Sequence, residues 1–234
     1  MQNFYNQMAG MENDAAIVQA QNSFISKVFG WMTVGLAVTG VVAYYVSTQR
    51  ELLQIILRPL GIGILFVSLL GLVWYINRAI EHLSAGVATL LFAIYAALNG
   101  VFLATVFLVY TMQSIGAVFF ITGGTFGLMA MYGYFTKRDL TSIGGLCVMG
   151  LIGVMIALLV NLFWQNDTFS LLLSIIGVIV FIGLTAYDTQ KIKSLALADD
   201  QEGIKKYAII GALELYLDFI NLFLFLLRIF GGRR

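Results

Sequence analysis

Seven long apolar runs, separated by short polar breaks, constrain this chain more than any other feature of its sequence. A helix that crosses a bilayer needs about 20 apolar residues, and in lipid the backbone polar groups are satisfied only inside helices or closed barrels. Each run is long enough to cross, the second provided that it begins nearer Leu52. The runs are residues 28–49, 60–76, 83–109, 115–135, 141–163, 169–187 and 207–230. We therefore predict an all-α membrane protein, a bundle of seven transmembrane helices.

The composition supports this prediction and limits the partners. Of the 234 residues, 60% are hydrophobic and only 11% are charged, whereas a soluble domain carries about 25% charged residues. The formal net charge is +1, which provides no basic face of the kind that nucleic acid binding requires. The lipid bilayer is thus an expected partner, and nucleic acid is not.

The chain divides into a polar N-terminal segment and a membrane domain. Residues 1–26 are expected to be a cytoplasmic segment, and residues 27–234 are expected to form the seven-helix transmembrane domain. Within the first segment, residues 14–27 could form a short helix on the membrane surface, and the pattern alone leaves this open.

Positive charges predict the orientation, because Lys and Arg near the ends of spans stay on the cytoplasmic side. With the N-terminus inside, eight such residues lie inside and two, Arg50 and Arg58, lie outside. The eight are Lys27, Arg78, Lys137, Arg138, Lys191, Lys193, Lys205 and Lys206. A full seventh crossing places the C-terminal arginines outside, whereas a last segment that turned back would return them to the cytoplasm. We favour the full crossing, because 207–230 is uninterrupted and contains no proline.

Small and amide residues within the runs predict helix packing. Gly123 and Gly127 form a G-x-x-x-G step, a pattern that lets two helix backbones approach closely. Asn99 and Asn161 are expected to form hydrogen bonds between helices.

Acidic residues inside spans are the candidates for function, because an Asp at a helix centre costs about 2.5–3.5 kcal/mol on insertion scales. Asp218 lies close to the midpoint of the last run, Glu214 lies one turn earlier and Asn221 lies three residues later. These three side chains share one helix face, which must face the bundle interior or water. For Asp218 we favour an ion or proton role over simple hydrogen bonding between helices.

Asp188, at the inner end of the sixth run, has two interpretations. It is either a solvated carboxylate at a helix end that pairs with Lys191, or a residue that lines a cytoplasmic vestibule. Arg78 lies at the end of the second run, where an arginine extends its charged group to the lipid headgroups.

The sequence does not predict an enzyme. It contains no H-E-x-x-H motif for zinc and no G-x-S-x-G motif for a serine nucleophile, and its one histidine, His82, lies in a loop. An intramembrane aspartyl protease is expected to carry Gly-x-Gly-Asp, but Tyr216 and Leu217 precede Asp218. No cofactor is expected.

Five segments carry a resemblance to a known family. The segments are LTAYDTQKIK (184–193), GALELYLDFINLFLFLLRIFG (211–231), KVFGWMTVGL (27–36), LSAGV (83–87) and GYFTKRDL (133–140). The chain resembles the Bax inhibitor family, and in particular members from the inner membrane of Gram-negative bacteria. The resemblance covers the chain from about Lys27 onward.

The resemblance implies a seven-helix fold in which the other six helices surround a central C-terminal helix, and a pH-sensitive calcium leak. It implies that Asp188 and Asp218 form a hydrogen-bonded pair that senses pH on the cytoplasmic side, and that Arg78, matched by position only, latches the closed state. An acidic residue that some members carry in the second helix has no counterpart here, since 60–76 contains no charge.

The chemistry of these residues fits that role. Two carboxyl groups within hydrogen-bonding distance in a low-dielectric site share a proton and titrate as a unit. Calcium prefers oxygen ligands, so Asp188 and Asp218 could bind it transiently, with Glu214 and Asn221 as a relay of low affinity. The alternative is a non-conducting interaction protein that regulates another membrane protein, such as a quality-control protease, through its polar N-terminal segment.

Overall fold

The computed structural model describes residues 2–197 and 201–233, and the described residues are helical apart from short connections. The long helices are α1 (Gln2–Thr48), α3 (Pro59–Ala79), α4 (Ala85–Leu103), α6 (Met112–Phe135), α7 (Thr141–Trp164), α8 (Asp167–Ser194) and α9 (Gln201–Phe230). Shorter pieces are α2 (Arg50–Ile56), α5 (Val106–Val109) and a 3-10 turn (Leu195–Leu197).

Within the described residues, seven segments are long and apolar enough to span a membrane. They are Ala16–Thr48, Pro59–Ala79, Ala85–Val109, Met112–Phe135, Thr141–Trp164, Asp167–Ser194 and Glu202–Phe230. Each overlaps one predicted run, so the prediction of a seven-helix membrane protein is confirmed. The third span consists of α4 and α5, which meet at the buried Ala104.

The second span begins within one residue of the predicted run 60–76 and does not extend back towards Leu52. Residues near Leu52 form the separate helix α2, and the chain turns at Leu57 and Arg58 before α3 begins at Pro59. Proline is favoured there because the first turn of a helix has no internal acceptor for its N–H. The span gains its length at the other end, by continuing to Ala79, and its 21 residues measure about 31 Å. The expected start near Leu52 was therefore wrong.

α1 begins well before the first apolar run and continues through it without a break. The separate surface helix considered for residues 14–27 is not formed, because these residues belong to α1. Phe24 and Ile25 are buried in the core, so the packed bundle begins slightly before the predicted boundary at residue 27. The cytoplasmic placement of residues 1–26 stays a prediction.

α9 is the most enclosed of the spans. Two thirds of its apolar window (67%) is buried inside the protein, compared with at most 44% for any other span. Its main neighbours are α1, α4, α6 and α8, whereas α3 packs mainly on α4, and α7 packs on α8. The expectation that all six other spans surround the last helix stays a prediction.

Contacts at both ends show that α9 crosses the whole bundle. At its beginning, Lys206 Nζ donates to the main-chain oxygen of Glu81 at 3.3 Å, beyond the end of α3. At its other end, the Gly232 N–H donates to Ser114 Oγ at 2.9 Å, and Thr111 N donates to Gly232 O at 3.2 Å. The last segment therefore does not turn back. Which end of the bundle faces the cytoplasm stays a prediction. Arg234, one of the C-terminal arginines, lies outside the described residues.

Helices pack closely at glycines other than those of the predicted G-x-x-x-G step. A Cβ atom added to Gly123 or Gly127 would meet open space, so the prediction of close packing there was wrong. In contrast, a Cβ on Gly133 would overlap the carbonyl of Ala186, and one on Gly177 would approach the Phe225 ring to 2.7 Å. Gly133 thus allows α6 to approach α8, and Gly177 allows α8 to approach α9. These two close contacts position the candidate site.

Candidate functional site

The acidic residues of the last two spans meet where α8 and α9 pack against each other. Asp188 and Lys191 are three residues apart on α8, and Glu214 and Asp218 are four residues apart on α9, so each pair shares one helix face. We call these four residues the carboxyl cluster. The helices that carry it are held together by close packing at Gly177 and at Gly211, where an added Cβ would lie 3.0 Å from Ile192.

Asp188 and Asp218 share a hydrogen bond between their side chains. Asp218 is almost fully buried, with 4% of its surface exposed, and Asp188 is partly buried. An ionised carboxylate has no hydrogen to donate, so this bond exists only while the pair holds a proton. The structure thus brings together the two aspartates that the family resemblance implies as a pair.

Lys191 pairs with the carboxylate of the neighbouring helix. Its Nζ lies 2.9 Å from Glu214 Oε1, in the one ion pair found among the described residues. The first interpretation of Asp188, a helix-end carboxylate that pairs with Lys191 along α8, is therefore not favoured by the geometry. Lys191 instead links α8 to α9 beside the aspartate pair.

Two oxygens of the cluster are buried without a hydrogen-bond donor among the described residues. They are Oδ2 of Asp218 and Oε2 of Glu214. Buried polar atoms are normally hydrogen-bonded, and a buried charge is costly unless a proton, a cation or water offsets it. The two oxygens can therefore accept a hydrogen bond from a protonated group or from water. The described residues hold no group of three or more acidic, histidine or cysteine side chains arranged to bind a metal ion tightly.

Two predicted site residues are not brought into the cluster. The amide of Asn221 donates to Leu217 O at 2.8 Å, within its own helix. Arg78 is exposed and forms no ion pair or hydrogen bond within residues 2–197 and 201–233. The end of α3 lies beside Lys206, which is twelve residues, or about 18 Å along the helix axis, from Asp218. The relay role of Asn221 and the latch role of Arg78 stay predictions.

A second buried polar group, on the other side of α9, was missed by the sequence analysis. Thr39 Oγ1 donates to Ala96 O at 2.8 Å, and it lies 2.6 Å from the hydroxyl of Tyr216. Because Thr39 has given its only proton to the carbonyl, Tyr216 donates to Thr39. Asn99 Nδ2 then donates to Tyr216 at 2.9 Å. We call Thr39, Asn99 and Tyr216 the neutral network, and it joins α1, α4 and α9.

The sequence indicated only one member of this network, Asn99. The interhelical bond predicted for Asn99 is confirmed, whereas Asn161 accepts a bond from Asn166 N in the adjacent turn, so that prediction was wrong. Tyr216 and Thr39 are common residues in apolar runs, and nothing in their spacing indicates that they meet.

Two further groups help to interpret the cluster. Cys147 on α7 packs against Gly183 of α8, five residues before Asp188, where an added Cβ would overlap its Sγ. Asp139 lies outside the spans, and hydrogen bonds from the side chain and backbone of Thr141 hold the pKa of its exposed carboxyl below the ordinary value. Asp139 therefore provides an acidic side chain with ordinary surface partners for comparison.

Comparison with known proteins identifies the family. The family described as "Inhibitor of apoptosis-promoting Bax1" matches residues 21–234. The chain is 48% identical to "Inner membrane protein YbhL" of Escherichia coli, over 91% of this chain and 92% of that protein. It is 43% identical to an uncharacterized protein of Borreliella burgdorferi, over 97% and 99% of the two chains. An uncharacterized protein of Rickettsia prowazekii is also 43% identical, over 90% of each.

This protein belongs to the Bax inhibitor family. The seven apolar helices and the inner-membrane relative support a multi-pass integral protein of the inner membrane, in contact with the lipid bilayer. The match begins at residue 21, six residues before the segment KVFGWMTVGL (27–36).

Proposed function

We propose that this protein is a pH-sensitive cation leak, with calcium as the permeant ion, and that the Asp188–Asp218 pair is its proton sensor. The proposal depends on one observation: two acidic side chains of neighbouring spans share a hydrogen bond that requires a proton, inside an otherwise apolar bundle. We infer a non-enzymatic role, without a cofactor.

Loss of the shared proton is the proposed switching event. Two carboxylates at about 4 Å repel each other by on the order of 4 kcal/mol at an effective dielectric constant of 20. Without the proton, the hydrogen bond between α8 and α9 becomes a repulsion between the same two groups. A local change of charge of this size is sufficient to bias a two-state helix packing.

The surroundings of the pair support a path for cations. Oδ2 of Asp218 and Oε2 of Glu214 are buried oxygens without a donor in the described chain, and oxygen ligands suit calcium. Lys191 Nζ, at 2.9 Å from Glu214, is a positive charge tethered beside them. A cation that enters the cluster replaces this ammonium group as the partner of Glu214, and few ligands hold it, so that it can leave again.

The proposal is tested with purified protein in liposomes that contain a calcium indicator, at pH 6, 7 and 8. We expect calcium flux that depends on pH in the wild type, and flux without this dependence in Asp188→Asn and Asp218→Asn. The matched control is Asp139→Asn, the same change at an exposed acid, which should retain the wild-type dependence. Identical curves for the wild type and both pair variants would contradict the sensor.

A second measurement separates gating from conduction. Cys147 is the single cysteine of the chain and packs against Gly183 of α8, on the helix that carries Asp188. Its rate of reaction with a thiol reagent should change with pH in the wild type and not in Asp218→Asn, after correction with a free thiol. Complete absence of flux in every preparation would contradict the leak and favour the interaction protein. In that case deletion of residues 1–21, which precede the buried Phe24 and Ile25, should abolish regulation of the partner protease and leave the bundle folded.

A further inference from the structure

A groove opens between α1 and α6 on the outer surface of the bundle, away from the carboxyl cluster. It has a volume of about 480 Å³, within the range of about 300–1,000 Å³ that is typical of ligand sites. Asn22, Ser26 and Tyr134 line one end, and Phe29 and Gly127 line the other. The polar side chains are thus all at one end, which we call the rim.

The groove exists because α1 and α6 are connected mainly at its two ends. At the rim, the hydroxyl of Tyr134 donates to Oδ1 of Asn22. At the inner end, the rings of Phe29 and Phe126 meet edge to face at 6.4 Å. Between these contacts Gly127 has no side chain, and a Cβ there would meet open space. The space is therefore not filled by the described chain.

The groove extends over about two thirds of one leaflet of a bilayer. Seven residues separate Asn22 from Phe29 on α1, and seven separate Gly127 from Tyr134 on α6, which corresponds to about 10 Å. Half of the hydrocarbon core measures about 15 Å. Both helices are membrane spans, so the groove opens sideways to lipid, and an apolar gap of this length fits an acyl chain.

Positive charge surrounds the rim. Lys193 Nζ donates to Tyr134 O at 3.1 Å and lies 4.6 Å from the centre of the Tyr134 ring. Lys137 and Arg138 follow α6 directly and are on the exposed connection to α7. These three basic residues outnumber the nearby Asp139, whose carboxylate accepts bonds from Thr141, so the net charge at the rim is positive. Basic residues at a membrane surface attract anionic headgroups.

We propose that this groove binds an anionic phospholipid, with an acyl chain between α1 and α6 and the phosphate at the rim beside Lys193. The charge at the rim favours a lipid over a second copy of this chain, whose spans would present apolar side chains at the same depth. The site is independent of the leak and of the aspartate pair.

The test is native mass spectrometry of the full-length protein, released from membranes that contain equal amounts of phosphatidylglycerol and phosphatidylcholine. The wild type should retain phosphatidylglycerol about fivefold more than phosphatidylcholine, an effect of the size expected for one basic residue. Gly127→Leu fills the groove and should lose the bound lipid. Its matched control is Gly123→Leu, one turn away on α6, where a Cβ also meets open space. Lys193→Gln should keep a bound lipid and show a smaller preference, because Lys137 and Arg138 remain at the rim.

Several results would overturn the proposal. One is equal retention of both lipids by the wild type, which indicates an annular lipid without a specific site. Another is retention by Gly127→Leu at the level of Gly123→Leu. A third is a dimer that Gly127→Leu alone disrupts, which would show that a second copy covers the groove.

Discussion

Both sides of α9 carry polar groups at nearly the same depth, but these groups differ in how fully they are hydrogen-bonded. Tyr216 and Asp218 are two residues apart, or about 200° around the helix, so they face opposite neighbours. On the Tyr216 side each donor of the chain from Asn99 to Tyr216 to Thr39 has an acceptor. On the Asp218 side, two buried oxygens lack a donor among the described residues.

This difference separates a fixed contact from one that can switch. The neutral network carries no charge near neutral pH, so its bonds to α1 and α4 persist when pH changes. The contact between α8 and α9 at Asp188 and Asp218 depends on one proton. Under the proposed function, loss of that proton moves α8 relative to α9 and leaves α9 attached to α1 and α4. The following predictions test this comparison.

The largest effect is expected from neutralisation of the aspartate pair. If Asp188 and Asp218 titrate as a unit, either single Asn variant removes the whole pH response, and the double variant adds nothing further. The measure is the ratio of calcium flux at pH 8 to that at pH 6, which should fall to about 1 in all three variants. A double variant that loses roughly twice as much as each single variant would show two independent groups.

A smaller effect, on stability alone, is expected at Tyr216, on the opposite side of α9. Tyr216→Phe leaves the buried amide of Asn99 without its acceptor and should lower the free energy of unfolding by roughly 1–2 kcal/mol. The loss should be equal at pH 6 and pH 8 in thermal unfolding in detergent. Tyr95→Phe is the control, because the Tyr95 ring packs 6.0 Å from Tyr216 but its hydroxyl forms no hydrogen bond with the described residues. A loss of stability in Tyr216→Phe that depends on pH would contradict the difference between the two sides of α9.

The smallest effect is expected at Lys191. Its side chain is 43% exposed, so its pair with Glu214 contributes less than about 1 kcal/mol to stability. Lys191→Met also removes a positive charge beside the aspartate pair, and less positive charge favours the protonated form. The midpoint of the flux response should therefore move to higher pH, by less than about one unit. Lys193→Met, two residues on and in contact with Tyr134, should leave the midpoint unchanged.

Much of the fold followed from residue patterns because lipid imposes a simple rule. Each apolar run had to form a helix, so seven spans were predicted and confirmed. Boundaries were less certain, since the first helix extends to Gln2 and the second span begins at Pro59. The G-x-x-x-G pattern did not identify the close helix contacts. Gly123 and Gly127 face open space, whereas helices pack closely at Gly133 and Gly177. Spacing along one helix does not indicate which face meets a neighbour.

The sequence by itself determined the membrane class, the number of spans and the acidic residues that stand out within them. These follow from the cost of polar groups in lipid, which depends on composition along one segment. Tertiary structure decided which groups meet: Asp188 with Asp218, Lys191 with Glu214, and Tyr216 with Thr39 and Asn99. Partners on different helices are fixed by how helices rotate and pack, and that information is distributed over the whole chain.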